Sequence, residues 1–366
     1  MHLLLCDHDC EPFLQAELAR GGASAPAAIL APGLLHGEFT PTAGAPPLLV
    51  FARQCLPFAE ARQAPSINAW AQLLFEELLA KLPEDQPWQL QVTPHYLPKI
   101  IAGGASVPAS RSQVNPSADN AGQNRCRLIR EALLELLARK RRRLRRALRE
   151  APAPFTEKDS LAQLLLTAPD QGFLAVAPAP LPQQWRQLVW PFPNGEIPVA
   201  SDKAPPSRAF AKLLEAEQRF GRRIAAGETC VDLGASPGSW THVALHRGAR
   251  VTAVDRAPLR EDLMRHPRLE FHQGDAFKFT PAKPVDWLLC DVIAAPQRSV
   301  DLLLEWVRQR RARRFVVTIK FKGHAEYTLL DQLKTAMPEL CREFYLTRLC
   351  ANKNEACAFG ELLPAA

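Results

Sequence analysis

The chain has 366 residues, 47% hydrophobic and 23% charged, a balance that excludes a wholly disordered polypeptide and predicts two or three domains at roughly 100–200 residues each. Its 45 Lys+Arg outnumber 38 Asp+Glu for a net charge of +7, so a polyanionic partner is expected. No apolar run reaches the ~18 residues of a membrane span, and nine cysteines without CxxC spacing read as reduced thiols of a cytoplasmic protein.

The start, Met1-His2-Leu3-Leu4-Leu5-Cys6-Asp7, lacks the basic region of a signal peptide. Residues 1–60 predict a small α+β subdomain, with apolar runs at Leu3–Leu5 and Leu48–Phe51 around a helix, Glu11–Arg20. A second α+β part, 61–185, is predicted from an amphipathic helix over 67–82, a strand over Trp88–Thr93, and apolar runs at Leu161–Leu166 and Gly172–Val176. Within it, residues 102–124 are rich in Gly, Ala, Ser, Asn and Pro and read as a long loop. Cys6, His8 and Cys10 sit close together, but no second pair completes a four-ligand set, and no metal is expected.

The positive charge is concentrated in one segment. Residues 125–149 hold eleven Lys/Arg against Glu131 and Glu135, and Leu133, Leu137, Leu144 and Leu148 recur at helical spacing. Such a helix is a solvated basic face, a membrane-surface helix or a nucleic-acid dock. The membrane reading lacks Trp/Phe anchors, whereas Arg forks match phosphate oxygens. Nucleic acid is the favoured partner, with Arg139, Arg142, Arg143 and Arg146 as the candidate contacts. Repeated prolines follow over 177–206, and 186–206 reads as a linker.

From Ser207 the pattern becomes that of a doubly wound, mainly parallel α/β sheet. Strands are predicted at Thr229–Leu233, Arg250–Asp255, Leu269–Gln273, Val285–Asp291, Phe315–Phe321, Glu343–Leu349 and Ala356–Glu361. Helices are predicted at Ser207–Ala226, 239–247, 259–266, 298–313 and 325–337, with an antiparallel hairpin closing the sheet.

The first strand runs into Asp232-Leu233-Gly234-Ala235-Ser236-Pro237-Gly238-Ser239-Trp240. Such loops serve dinucleotides, mononucleotides and S-adenosylmethionine, or simply turn tightly. The third Gly of GxGxxG is missing and Pro237 stands where a pyrophosphate needs free amides, which disfavours a nicotinamide dinucleotide. Asp255 ends the next strand about twenty residues on, where an acid accepts ribose hydroxyls, and Asp275 with Phe277 follows the third. Both acids have innocent alternatives as a helix cap and a turn residue. S-adenosylmethionine is the favoured cofactor.

Asp291 and Lys320 end neighbouring strands, Lys212 lies one turn into the preceding helix, and Glu355 introduces the last strand. In that order the four residues resemble the Lys-Asp-Lys-Glu tetrad of FtsJ-type RNA ribose 2′-O-methyltransferases. Ser207-Arg208-Ala209-x-x-Lys212 and Asp232-Leu233-Gly234-Ala235-x-Pro237-Gly238-x-Trp240 are similar to that family, with Ser239 where it often carries a second glycine. Leu49-Val50-Phe51-Ala52-Arg53-Gln54 and the order of elements in the front half resemble the M-type bacterial 23S rRNA methyltransferases.

The resemblance implies a Rossmann-like class I S-adenosylmethionine-dependent methyltransferase fold over 207–366, behind a THUMP-like RNA-binding region over 61–185. It implies a catalytic set of Lys212, Asp291, Lys320 and Glu355. It also implies that Ser207, Asp232, Gly234, Ser236, Pro237, Gly238, Ser239, Trp240, Asp255, Asp275 and Asp291 hold the cofactor, with Trp240 equally readable as core packing. The implied substrate is a cytidine of 23S rRNA or a large-subunit precursor. The same chemistry on tRNA or another RNA, or a non-catalytic RNA-binding protein that kept the fold, is the alternative. Lys320 is expected to act as base or as charge stabiliser, with Asp291 orienting the lysines and Glu355 holding Lys212 or the hydroxyl.

Overall fold

The computed structural model describes residues 2–20, 27–38, 48–96, 120–150, 158–180, 188–190, 192–197, 199–351 and 354–364. The chain divides into two compact units, Met1–Glu196 and Ile197–Ala366.

The first unit holds two four-stranded sheets. One is antiparallel, with β1 (His2–Leu5), β2 (Ala28–Ala31), β3 (Leu34–Gly37) and β4 (Gln54–Leu56) in the order β2-β3-β1-β4. The other contains β5 (Glu60–Gln63), β6 (Trp88–Pro94), β7 (Ser160–Ala168) and β8 (Gln171–Ala177) in the order β5-β8-β7-β6, with only the β6–β7 pair parallel. Strands β2 to β5 were not legible in the sequence because three or four residues are too few to display an alternating pattern.

Helix α1 (Glu11–Arg20) forms as expected. Its buried Glu17 accepts hydrogen bonds from the backbone N–H groups of Val50 and Phe51 at 3.0 and 3.1 Å, so the apolar run 48–51 is a pinned, buried coil rather than a strand. Helix α2 (Ile67–Lys81) starts where the Ser66 hydroxyl accepts from the Ala69 N–H.

The basic segment is two helices, α3 (Asn120–Lys140) and α4 (Arg142–Ala147), separated at Arg141, whose φ and ψ are −145° and 67°. Helix α3 begins inside the expected 102–124 loop, so residues 120–124 are helical, and 102–119 lie outside the described residues. Ile129, Leu133, Leu137, Leu144 and Leu148 line one buried stripe against Trp70, Leu74 and Leu78 of α2. The opposite face carries the arginines.

The end of this unit, within the expected linker, is fastened to it. The buried Gln54 side chain donates to the carbonyls of Trp190 and Phe192 at 3.0 and 3.1 Å and accepts from the Trp190 N–H at 2.8 Å. It also donates to the Gln91 side-chain amide oxygen Oε1, which accepts from the Gln163 side chain as well. Arg53 donates to the Asn194 carbonyl and pairs with Asp7 and Glu196.

The second unit is one seven-stranded sheet. Strands β9 (Thr229–Leu233), β10 (Arg250–Asp255), β11 (Leu269–Gln273), β12 (Val285–Cys290) and β13 (Ala312–Lys320) are parallel, and β15 (Glu355–Leu362) runs antiparallel to β13 and to β14 (Cys341–Thr347). The order β11-β10-β9-β12-β13-β15-β14 is that of the expected class I methyltransferase fold. Helix α5 (Phe210–Phe220) is shorter than predicted, because Gly221 at φ +67° turns the chain out in a left-handed cap. Helices α6 (Ser239–His246) and α7 (Glu261–Met264) follow, with α7 a single turn ahead of Pro267. Helix α8 (Pro296–Arg308) opens on its proline, and α9 (Leu330–Leu340) follows a 3-10 turn at His324–Leu329. Phe210, Leu213, Trp240, Val243 and Leu263 pack on the sheet through Trp287, Leu289, Val316 and Phe359.

Replacing Gln54 with Ala removes its hydrogen bonds to the Phe192 carbonyl and the Trp190 N–H, while the Trp190 carbonyl still accepts from the Gln91 side-chain amide at 2.8 Å. The expected result is a loss of about 2 kcal/mol in denaturant unfolding, with faster hydrogen exchange at Trp190 than at the centre of β1.

Candidate active site

The β9 strand leads the chain outward through β10 and β11, and the chain then returns to the other side of β9 with β12. Ligands of open α/β sheets bind at such a reversal, beyond the carboxyl ends of the strands. Here that edge carries the loop Gly234–Gly238, Asp255 and Asp291.

The loop is held by its own neighbours. The N–H groups of Gly234 and Ala235 donate to the Val254 carbonyl, and one oxygen of the Asp255 carboxylate accepts from the Ser236 N–H at 2.9 Å while the other accepts from the Ala257 N–H. Gly234 lies at φ +74°, and a Cβ there would approach the Val292 Cβ to 2.8 Å; Gly238 lies at φ +108°, a region side chains avoid. Pro237 accepts the Arg260 N–H on its carbonyl. Beyond β11, the Phe277 N–H and the Arg256 guanidinium hold the Asp275 carboxyl below the usual carboxylate range.

Three of the residues expected at the ligand bond to the chain itself through their side chains. Trp240 is buried and its indole N–H donates to the Ala209 carbonyl at 2.8 Å. The Ser239 hydroxyl is buried, accepting from the Ser207 N–H at 2.8 Å and lying 2.7 Å from the Ser207 hydroxyl. Asp232 is buried on the central strand and accepts from the Thr241 hydroxyl at 2.6 Å. These side chains fasten the loop and α6 to the start of α5 and to the sheet. A period-2 strand places Asp232 on one face whatever the loop does, which is why sequence spacing could not separate contact from support.

The four expected catalytic residues converge. Lys320 ends β13 and faces Glu355 directly across the antiparallel pair with β15. The Lys212 ammonium lies 2.7 Å from a Glu355 oxygen and 3.2 and 3.4 Å from the two Asp291 oxygens. The Lys320 ammonium lies 3.0 Å from Asp291 Oδ1 and donates to the Asp291 carbonyl at 2.7 Å. Burial works against the charge on Lys212, but Asp291 and Glu355 outweigh it and raise its pKa.

Two residues at this cluster were missed. The buried Thr318 hydroxyl donates to Asp291 Oδ1 at 2.6 Å. It stands two residues before Lys320, on the same face of β13, and that spacing was the available signal. Buried Glu215, one turn beyond Lys212, accepts from the Cys350 N–H at 2.8 Å and pairs with Arg219 at 2.8 Å, anchoring the segment ahead of Glu355. Nearer Glu355, Asn354 donates to the Phe321 carbonyl. Residues 352 and 353 lie outside the described residues.

Residues 205–339, which span the glycine loop, Lys212, Asp291 and Lys320, match the family model of FtsJ-like methyltransferases. This part of the chain is an FtsJ-like methyltransferase domain. Curated relatives include proteins named ribosomal RNA large subunit methyltransferase M. The one from Stutzerimonas stutzeri (strain A1501) is 33% identical over 224 residues, covering 56% of this chain and 62% of the relative. The one from Thauera aminoaromatica is 36% identical over 168 residues, covering 44% and 43%; the one from Laribacter hongkongensis (strain HLHK9) is 38% identical over 152 residues, covering 39% and 43%. The chain thus matches about half the length of these relatives.

The arginines nominated for RNA lie in the first unit. Arg139, Arg142, Arg143 and Arg146 are exposed and have no acidic partner among the described residues, whereas Arg149 pairs with buried Asp159 at 2.7 Å and Arg127 with Glu131 at 2.6 Å. At the N-terminus, Cys6 is buried, and burial with nearby Glu11 and Asp7 pushes its thiol up to about 12, so it stays neutral.

Burial, only partly offset by the Thr241 hydroxyl and reinforced by the charge of Asp291, pushes the Asp232 carboxyl up to about 7 from an ordinary 3.8. The folded state therefore binds more protons than the unfolded chain between about pH 4 and 7, and this group's contribution to stability falls as pH rises through that window. In unfolding titrations across that range, Asp232→Asn is expected to flatten the fall relative to the unsubstituted protein.

Proposed function

We propose that this protein is an S-adenosylmethionine-dependent RNA ribose 2′-O-methyltransferase acting on large-subunit ribosomal RNA, in a bacterial cytoplasm, with a cytidine of 23S rRNA as target. The observation that carries the reading is the Lys212–Asp291–Lys320–Glu355 cluster at the switch edge of the sheet, beside the glycine loop. The names of the relatives support the choice of large-subunit RNA. No helix among the described residues is long and apolar enough to cross a membrane.

The donor set fits the cofactor: a left-handed glycine loop ahead of α6, with carboxylates at the ends of the two neighbouring strands, matches an adenosine and an amino-acid moiety. In this reading Gly234, Ser236, Pro237 and Gly238 form the cradle, supported by Ser207, Asp232, Ser239 and Trp240, and Asp255, Asp275 and Asp291 provide acceptors. S-Adenosylmethionine supplies a methyl group already activated by the sulfonium charge.

The protein's own task is to align and deprotonate a weakly nucleophilic hydroxyl. Lys212 is surrounded by three carboxylate oxygens and stays an ammonium, fixing positive charge beside the site. Lys320 uses two acceptors, Asp291 Oδ1 and the Asp291 carbonyl, which leaves one position on its nitrogen for the substrate oxygen. Lys320 is therefore the group that meets the hydroxyl: having first given up its own third proton to solvent, it would take the hydroxyl proton on the lone pair at that position. Asp291, braced by Thr318, holds both lysines at one carboxylate, and Glu355 holds Lys212. In the first unit, a THUMP-like role is supported by the exposed Arg139, Arg142, Arg143 and Arg146, which have no acidic partner among the described residues and whose forks suit RNA phosphates.

With labelled methyl donor, the protein is expected to methylate 23S rRNA fragments in preference to tRNA, at riboses identified by resistance to alkaline cleavage. Lys320→Ala is expected to lower kcat by about 10²–10⁴ with donor affinity retained; near-normal turnover removes Lys320 from the chemistry. Transfer to tRNA alone, or donor binding without transfer to any RNA, favours the alternatives. Arg142→Ala with Arg143→Ala is expected to weaken RNA binding and to reduce the salt slope of log K by about 1.5.

A further inference from the structure

Ile293 is 89% exposed, whereas the next most open large apolar side chains of the same unit, Leu363 and Met264, are at 41% and 40%. It stands two residues after Asp291 on a short segment that is pinned at both ends. At one end Lys320 donates to the Asp291 carbonyl at 2.7 Å and Val292 lies against Gly234. At the other, Pro296 is buried and opens α8. Between them only Ile293, Ala294 and Ala295 are free of these anchors, and each alanine presents a single methyl group.

A scattered exposed aliphatic residue is ordinary on a protein surface. This one differs in its position, on a fixed turn directly beyond the carboxylate that gathers both lysines. Asp291, two residues earlier, holds the Lys320 ammonium at 3.0 Å, so a nucleotide presented to Lys320 would pass close to this segment. Aliphatic carbon forms no hydrogen bond, so it cannot tell one base edge from another, but it gains by covering the flat apolar face of a sugar or base.

We propose that Ile293 is a substrate-contacting residue that packs on the sugar or base of the nucleotide presented to Lys320, positioning it without reading its identity. The inference rests on the methyltransferase reading above. It places nucleotide selection in other contacts.

The test compares the full-length protein with Ile293→Ser and Ile293→Leu, measuring methyl transfer to the RNA, RNA affinity of the S-adenosylhomocysteine-loaded protein, donor affinity and Tm. Ile293→Ser is expected to lower kcat/KM about tenfold whichever base is targeted, with Ile293→Leu restoring most of it and donor affinity and Tm unchanged. Unchanged kcat/KM in Ile293→Ser, or a loss confined to one base, overturns the proposal. Should the unsubstituted protein transfer no methyl group, the methyltransferase reading falls, and RNA affinity decides on Ile293: weakening by Ile293→Ser supports the contact, and equal affinity overturns it. A change of oligomeric state with RNA binding intact assigns Ile293 to a protein interface and also overturns it.

Discussion

One carboxylate organises the second unit. Asp291 receives Lys212, Lys320 and the Thr318 hydroxyl at distances between 2.6 and 3.4 Å. Two ammonium groups so close repel strongly in a partly buried site, and the arrangement is tenable only because Asp291 lies between them and Glu355 neutralises the second charge. The cluster is net neutral as a whole yet locally polarised. Removing any one member leaves an uncompensated charge, so the four residues act as a set.

Such a set must be built from rigid parts, because ion-pair geometry is lost with small displacements. Lys320 and Glu355 are fixed by direct pairing across β13 and β15. Lys212 is fixed by helix α5, whose start is tied to the glycine loop through Ser207–Ser239 and Trp240–Ala209. Glu215 on the same helix holds the backbone at Cys350, in the segment that leads to Glu355. The glycine loop and the lysine cluster therefore share one helix, and a shift in either is felt by the other.

The first unit solves a different problem. Its buried polar groups serve the backbone: Glu17 holds the 50–51 coil, and Gln54, Gln91 and Gln163 form a bonded group that retains the chain around Trp190. The Arg53-Gln54 pair within the family-like motif is accounted for by this fastening. The charge is likewise divided, since Arg149 and Arg127 have carboxylate partners while Arg139, Arg142, Arg143 and Arg146 have none among the described residues. A count of basic residues could not make that distinction.

By itself the sequence determined the order and type of nearly every element from Ser207 onward, because strands that alternate with helices and end in Gly or Asp carry strong periodic and turn signals. It determined the four members of the lysine–carboxylate set through their resemblance to a known tetrad, and the buried stripe of the basic helix. Short strands β2 to β5 stayed silent, and a Gly/Ala/Ser/Asn/Pro-rich run concealed the first turn of α3. Only the tertiary structure decided that Asp232, Ser239 and Trp240 support the loop, that Thr318 and Glu215 serve the cluster, and that Ile293 stands out into solvent. The reason is physical: periodicity reports which face a residue occupies, whereas its role depends on which distant group the fold sets against it, from Lys212 across to Glu355.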